Sequence, residues 1–268
     1  MNDRTEKGIN SFQLKCWGLI FMTADHIGQY ICNTININPL RIIGRIAAPL
    51  FLYVTVNSIS HTRNKLKYAL RLYLAHILIC LMTLLLTTVG KNQFGNNNQF
   101  SILATFVYVV ILVCIVEKII KSPKKITINN FLLFLLAIAI IIIPTVILFL
   151  FSRFEILYQI FLPSILTVPY SPLFILMGIC WYFTKDKAKQ GFVLIFFSCL
   201  SFAGAQLIAR LNAWIFIDFF NNIQFCMILF LPFIFLYNGK KGKSMKYFFY
   251  IYYPVHVYIL MLIGQYLI

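Results

Sequence analysis

The sequence predicts an all-α integral membrane protein, a polytopic bundle of about nine transmembrane helices within a range of eight to ten. Three observations predict it. Apolar residues fill 61% of the 268 positions, against about 45–50% in a soluble domain, and charged residues make up only 11%. The 27 Phe and 15 Tyr carry more large apolar surface than one soluble core of this length hides, so lipid must solvate it. The 23 Lys and Arg, set against 7 Asp and Glu for a net charge of +16, recur in every second loop between apolar runs.

Crossing ~30 Å of hydrocarbon takes about 20 helical residues. Apolar runs of that length, punctuated by polar clusters, fall at 12–32, 42–60, 68–89, 99–120, 131–151, 161–183, 190–209, 219–237 and 247–267. The first is too long for a signal peptide, contains Asp25 and His26, and is followed by no small-residue cleavage pattern. The second gives way to Arg63, Lys65, Lys67 and Arg71, and the third to the Asn-rich stretch Lys91 to Gln99. Lys118, Lys121, Lys124 and Lys125 follow the fourth, and Arg153 follows the fifth. Pro163, Pro169 and Pro172 break the sixth, so a short or re-entrant segment is expected around 153–172, with only Ser171 to Phe183 uninterrupted. Lys185, Lys187 and Lys189 introduce the seventh, Asp218 stands at the start of the eighth, and Lys240, Lys241, Lys243 and Lys246 precede the ninth.

Lys and Arg concentrate in cytoplasmic loops, and here every second loop is basic while the loops between are poor in charge. That alternation puts the amino terminus in the cytoplasm and the carboxyl terminus outside. Two full spans in the Pro-broken stretch would spoil it from Lys185 onward, which favours nine. The basic balance is thus topology, or a surface for lipid phosphates or an anionic cofactor, and nucleic acid is not an expected partner. No internal repeat stands out, and residues 1–268 read as one domain in a cell membrane, with lipids as its surroundings. The seven cysteines, Cys16, Cys32, Cys80, Cys114, Cys180, Cys199 and Cys226, form no C-x-x-C pair and lie nearly all in apolar runs, as small buried hydrophobes do.

Ionisable groups inside a span are costly, so each is a functional candidate. In LKCWGLIFMTADHIGQY, Asp25 and His26 stand 13 to 14 residues from the inner end, ~20 Å deep at about 1.5 Å per residue. In IIGRIAAPLFLY, Arg45 lies at similar depth, and Pro49 removes the amide that would bond its carbonyl. In KYFFYIYYPVHVYIL, Tyr252 and His256 share a helix face at i, i+4, with His256 near mid-membrane. Adjacent residues project about 100° apart, so Asp25 is expected to pair with Arg45 while His26 faces elsewhere. A buried structural pair and a helix-bridging His are the alternatives for these positions. No second His or carboxylate stands at i+3 or i+4 from His26 or His256, so no metal is expected. His61 and His76 read as loop-edge and packing residues, and Asp218 with Asn221 and Asn222 as a solvated helix start. Glu117 beside Lys118 reads as an inner helix end, and Gln206 with Arg210 as an outer rim of the pocket.

Three stretches resemble the TraX family of integral membrane acetyltransferases: LKCWGLIFMTADHIGQ (14–29), IGRIAAPLFLYVTVNSISHTRNKLKYALRL (43–72) and KYFFYIYYPVHVYIL (246–260). They frame the entire chain. The sequence departs from the family where Pro169, Tyr170 and Ser171 replace an Asp-Tyr-Gly type segment. The resemblance implies a bacterial cytoplasmic-membrane enzyme that takes acetyl from cytoplasmic acetyl-CoA. Its acceptor would be an amine or hydroxyl outside, on a pilin, another peptide, a glycan or a lipid. In that reading His26 is the general base, Arg45 stabilises an oxyanion or Asp25, and Arg63, Lys67 and Arg71 hold the phosphates of coenzyme A. Tyr252 and His256 line the tunnel. Two other classes stay open: a small-solute or proton-coupled transporter using Asp25, His26, Arg45 and His256, and a non-catalytic scaffold or immunity protein with no need of His26.

Overall fold

The computed structural model describes residues 8–32, 39–89, 101–122, 127–151, 155–170, 172–211 and 223–267. Eleven α-helices are assigned there: α1 Ser11–Tyr30, α2 Pro39–Gly44, α3 Ala47–Ser60, α4 Lys65–Val89, α5 Leu103–Ile120, α6 Ile128–Leu150, α7 Glu155–Phe161, α8 Leu173–Phe183, α9 Lys187–Leu211, α10 Leu231–Leu236 and α11 Lys246–Leu267. A 3-10 helix, Gln224–Phe230, precedes α10. Among the described residues the only β pairing is the isolated bridge between Ile9 and Tyr237. Among the described residues five helical stretches are long and apolar enough to cross a membrane: Pro39–Ser60, Lys65–Leu85, Leu103–Ile120, Ile128–Leu150 and Lys187–Ile208. Their outward faces are apolar. On α4, Leu66, Leu70, Leu74 and Leu78 form an exposed stripe at four-residue spacing, and α6 exposes Phe131, Phe134, Ile142 and Phe149. An aqueous surface rarely carries so much contiguous apolar area, and lipid accommodates it.

The chain divides into two compact units, Met1–Thr55 with Thr184–Ala213 and Phe220–Ile268, and Val56–Phe183 with Trp214–Phe219. In the first, α1 packs against α2 and α11, and α9 packs against the 3-10 helix and α10. Asn10 and Gln13 start α1 with a capping box, each side chain accepting from the other's amide at 2.9 and 3.0 Å. The Ile9 amide donates to the Leu236 carbonyl at 2.8 Å and the Ser11 amide to Lys240 at 2.8 Å, so the start of α1 and the loop after α10 share one end of this unit. Lys187, at the start of α9, joins them by donating to the Phe235 and Tyr237 carbonyls at 3.1 and 2.5 Å.

Two breaks shape this unit. The second apolar run is interrupted at Arg45 and Ile46, between α2 and α3, because Pro49 has no N–H to return to the Arg45 carbonyl. The run expected to form one span at 219–237 is instead a 3-10 helix joined to α10, with residues 219–222 outside the described set. Pro232 lacks the amide that would bond Ile228, and the Leu231 amide takes that carbonyl in a tighter turn.

In the second unit α5 packs against α4, α6 and α8, and α7 lies against α4 and α6. Lys65 at the start of α4 donates to the Glu117 carboxylate and, at 2.8 Å, to the Tyr182 hydroxyl, while Lys121 reaches Glu117 at 2.6 Å. One end of the unit therefore gathers the start of α4 and the ends of α5 and α8. Residues 162–170 of the Pro-rich stretch are non-helical, and Tyr170 takes a left-handed φ of 60°. Irregular backbone survives at membrane depth only if its carbonyls find donors within the protein. Tyr108 donates to the Pro163 carbonyl at 2.7 Å, Thr105 to Pro169 at 2.8 Å and Tyr73 to Phe161 at 2.5 Å. The described residues of the stretch 153–172, where a short or re-entrant segment is expected, thus form α7 and a capped irregular stretch, and the helix expected after it is α8.

Candidate active site

A polar cluster forms in the first unit where α1, the α2–α3 break and α11 meet. Its charged part is an ion pair. Arg45 Nη2 donates to both oxygens of Asp25 at 2.7 and 2.8 Å. Nη1 donates to Gln224 Oε1 at 3.3 Å and Nε to the Arg41 carbonyl at 3.4 Å. Arg45 is only 6% exposed, so its charge depends on that carboxylate. Arg41 adds a second guanidinium, its Nε 3.7 Å from Asp25 Oδ1. Gly44 permits the approach, because a Cβ there would lie 2.3 Å from Asp25 Cβ and 2.7 Å from its Cα. About two turns earlier on α1, Gly18 does the same for α1 against α3, where a Cβ would lie 2.8 Å from Leu50 and Phe51.

The neutral part lies on the neighbouring face of α1. His26 Nδ1 and His256 Nε2 are 2.8 Å apart, with ring centroids at 5.0 Å. His256 Nδ1 is 2.8 Å from the Tyr252 carbonyl, and the Tyr252 ring stacks on His256 at 5.0 Å and 17°. The Tyr252 hydroxyl is 2.8 Å from Thr23 Oγ1, which donates to the Leu19 carbonyl at 2.8 Å. Thr23 and His26 are three residues apart on α1, Tyr252 and His256 four apart on α11, so two polar contacts clasp one helix face to the other.

The sequence candidates Asp25, His26, Arg45, Tyr252 and His256 thus come together, with Asp25 on Arg45 and His26 turned to α11. Arg63, Lys67 and Arg71 belong to the second unit and are exposed at the start of α4. Asn64 caps that helix, accepting from the Lys67 amide at 2.9 Å, and Arg71 lies 5.9 Å over the Tyr68 ring. Gln206 and Arg210 are exposed on α9, and among the described residues neither is brought into the cluster. Asp218, Asn221, Asn222, Lys124 and Lys125 lie outside the described residues. Among the described residues no three His, Cys, Asp or Glu side chains gather as a metal site would require.

Four members of the cluster escaped the reading of the sequence: Thr23, Arg41, Gly44 and Gln224. Thr23 carried a usable signal, since Thr23, His26 and Tyr30 recur at i, i+3 and i+7. Arg41 stands one helical turn from Arg45, and Gln224 is a buried amide in an apolar run. Gly44 had no signal of its own, because a close approach depends on what approaches.

No curated protein and no solved structure matches the chain. The sequence profile described as TraX protein matches residues 11–264, nearly the whole length and including every member of the cluster. The chain belongs to the TraX family.

Proposed function

We propose that the chain is a membrane-embedded acetyltransferase of the bacterial cytoplasmic membrane. It moves an acetyl group from cytoplasmic acetyl-CoA to an amine or hydroxyl at the outer side, on a pilin, another peptide, a glycan or a lipid. One observation carries the reading: His26, held by a second imidazole at 2.8 Å, stands beside an Asp25–Arg45 pair that neutralises itself. An imidazole suits proton transfer near neutral pH, and of the two in the cluster His256 has both ring nitrogens in contacts, with His26 and the Tyr252 carbonyl. His26 takes the proton of the acceptor as its nitrogen or oxygen bonds to the acetyl carbon, and returns it to the sulfur as the C–S bond breaks. Arg45 holds Asp25, which keeps a carboxylate from capturing that proton.

Acetyl-CoA, the donor in this reading, presents phosphates, and Arg63 just before α4, with Lys67 and Arg71 on it, supply exposed basic groups to receive them. The family to which the chain belongs has pilin acetylation as its founding activity, which supports a transferase. The whole chain acts as one transmembrane domain of nine spans with its amino terminus in the cytoplasm. The sharing of one end by the start of α1, the start of α9 and the loop after α10 supports that orientation. A reporter fused after Lys125 or Lys243 then reads cytoplasmic and one after Asn97 or Ile268 reads external, and a cytoplasmic carboxyl terminus rejects the count.

The activity is tested with purified protein in detergent by following thiol release from acetyl-CoA in the presence of an outer-membrane-side extract of the host. Protein-dependent release that disappears in His26→Ala supports the enzyme. Solute uptake into proteoliposomes without thiol release would assign the same groups to a transporter instead.

A further inference from the structure

We infer that His256 is a positioning residue that holds His26 as its Nδ1–H tautomer, leaving Nε2 of His26 as the one basic nitrogen the cluster presents to an acceptor. The function assigned to Nε2 rests on the acetyltransferase reading; the tautomer does not. A carbonyl oxygen has no proton to give, so in the 2.8 Å contact between His256 Nδ1 and the Tyr252 carbonyl the imidazole is the donor. A neutral imidazole has a single N–H, which leaves a lone pair on His256 Nε2. His26 Nδ1, 2.8 Å from that lone pair, is therefore the donor of the ring-to-ring bond. Neutral His26 then keeps its own lone pair on Nε2, and that atom has no hydrogen-bond partner among the described residues.

Neutrality follows from the surroundings. His256 is 7% exposed, and no carboxylate lies against it among the described residues. The one nearby carboxylate, Asp25, gives both oxygens to Arg45. A charged imidazole here would be buried without compensation, at a cost of several kcal/mol.

The hydroxyls close the count of protons. Thr23 gives its proton to the Leu19 carbonyl, so Tyr252 supplies the proton of the bond between the two hydroxyls. Tyr252 has none left for an oxyanion, and His256, with both nitrogens bonded, has no atom left to touch an acceptor. Both are reassigned from lining the tunnel to orienting His26. When Nε2 accepts the acceptor's proton, His26 becomes an imidazolium whose Nδ1–H still points at a neutral lone pair, and that bond becomes charge-assisted. A neutral second imidazole orients His26 without placing an unpaired carboxylate in the membrane.

The tautomer is read directly from the nitrogen-15 spectrum of the full chain, histidine-labelled, in lipid bilayers. Single His→Asn variants at His61 and His76 assign the remaining signals. The expected spectrum has His26 protonated at Nδ1 and unprotonated at Nε2, and His256→Phe should convert it to a mixture of tautomers. A resting His26 protonated at Nε2, or one unmoved by His256→Phe, overturns the inference whatever the activity. Thiol release from acetyl-CoA supplies the second arm. His256→Phe should lower kcat on the order of 10²-fold with KM for acetyl-CoA unchanged, as loss of a properly oriented base does. His256→Gln, whose amide both accepts and donates, should recover much of that loss, which a packing role would not predict. Full kcat in His256→Phe where His26→Ala is inactive rejects the positioning role alone; an active His26→Ala rejects the catalytic reading and leaves the tautomer to the spectrum.

Discussion

His76 on α4 and His26 on α1 are both imidazoles within apolar helices, yet the groups around them differ in kind. His76 is fully buried, donates through Nε2 to the Gln159 carbonyl at 3.4 Å, and lies 3.6 Å from the Cys80 thiol. Its neighbours Tyr73, Thr105 and Tyr108 do the same work, each giving a proton to a carbonyl of the Pro-rich stretch. Among the described residues these bonds involve no charged group, and each of the four donors reaches a backbone carbonyl. The cluster around His26 joins side chain to side chain, contains an ion pair, and leaves one ring nitrogen over. Intramembrane polarity that ends on carbonyls repairs a fold, whereas polarity with a basic nitrogen in surplus has something left for chemistry.

The largest effect that sharpens this contrast is on stability. Asp25→Ala leaves Arg45 buried without a carboxylate and should cost about 3–5 kcal/mol, read as a drop in the unfolding midpoint in detergent. Asp25→Leu combined with Arg45→Met should recover most of it. Thr105→Val or Tyr108→Phe, which strip one donor from a carbonyl, should cost about 1–3 kcal/mol each. An Asp25→Ala protein more stable than Thr105→Val would erase the distinction between the clusters.

Activity gives the next contrast. His26→Ala should leave the folded, inserted amount near normal and reduce acetyl transfer on the order of 10²-fold or more. His76→Ala should do the reverse, lowering the folded amount while each folded molecule keeps its kcat. Wild-type turnover in His26→Ala would place the two histidines in one class.

A smaller effect is expected at Gly44. A methyl group 2.3 Å from Asp25 Cβ forces α1 and α2 apart, and overpacking of this kind costs about 1–3 kcal/mol. Gly44→Ala should lower the unfolding midpoint and loosen the Asp25–Arg45 bond, and an unchanged midpoint would mean the helices already have room.

The smallest concerns the basic face of α4. Arg63→Lys and Arg71→Lys keep the positive-inside signal but lose the bidentate fork, so KM for acetyl-CoA should rise severalfold with topology intact. Unchanged kinetics would reduce these residues to a topological signal.

Much of this protein is written locally. Hydropathy and the spacing of Lys and Arg depend on composition within one span, and they announce apolar helices with basic loops between them. The trio Pro163, Pro169 and Pro172 foretold the irregular stretch before α8, and the missing amide of Pro49 explains the break at Arg45 in a run read as one span at 42–60, because a missing amide acts on its own helix. Helical geometry put Tyr252 with His256 and turned Asp25 away from His26 without any knowledge of neighbours. The meeting of His26 with His256, 230 residues apart, could not be read in this way. It depends on how α1 and α11 rotate about their axes, and α1 is seated by close approaches at Gly44, against Asp25, and at Gly18, against Leu50 and Phe51, whose meaning lies in the helix opposite. The direction of each hydrogen bond is further still from the sequence. It follows from which atom terminates the chain of donors. The Leu19 and Tyr252 carbonyls stand four residues before Thr23 and His256 on their own helices, but only the folded arrangement links those local ends through the contacts between α1 and α11.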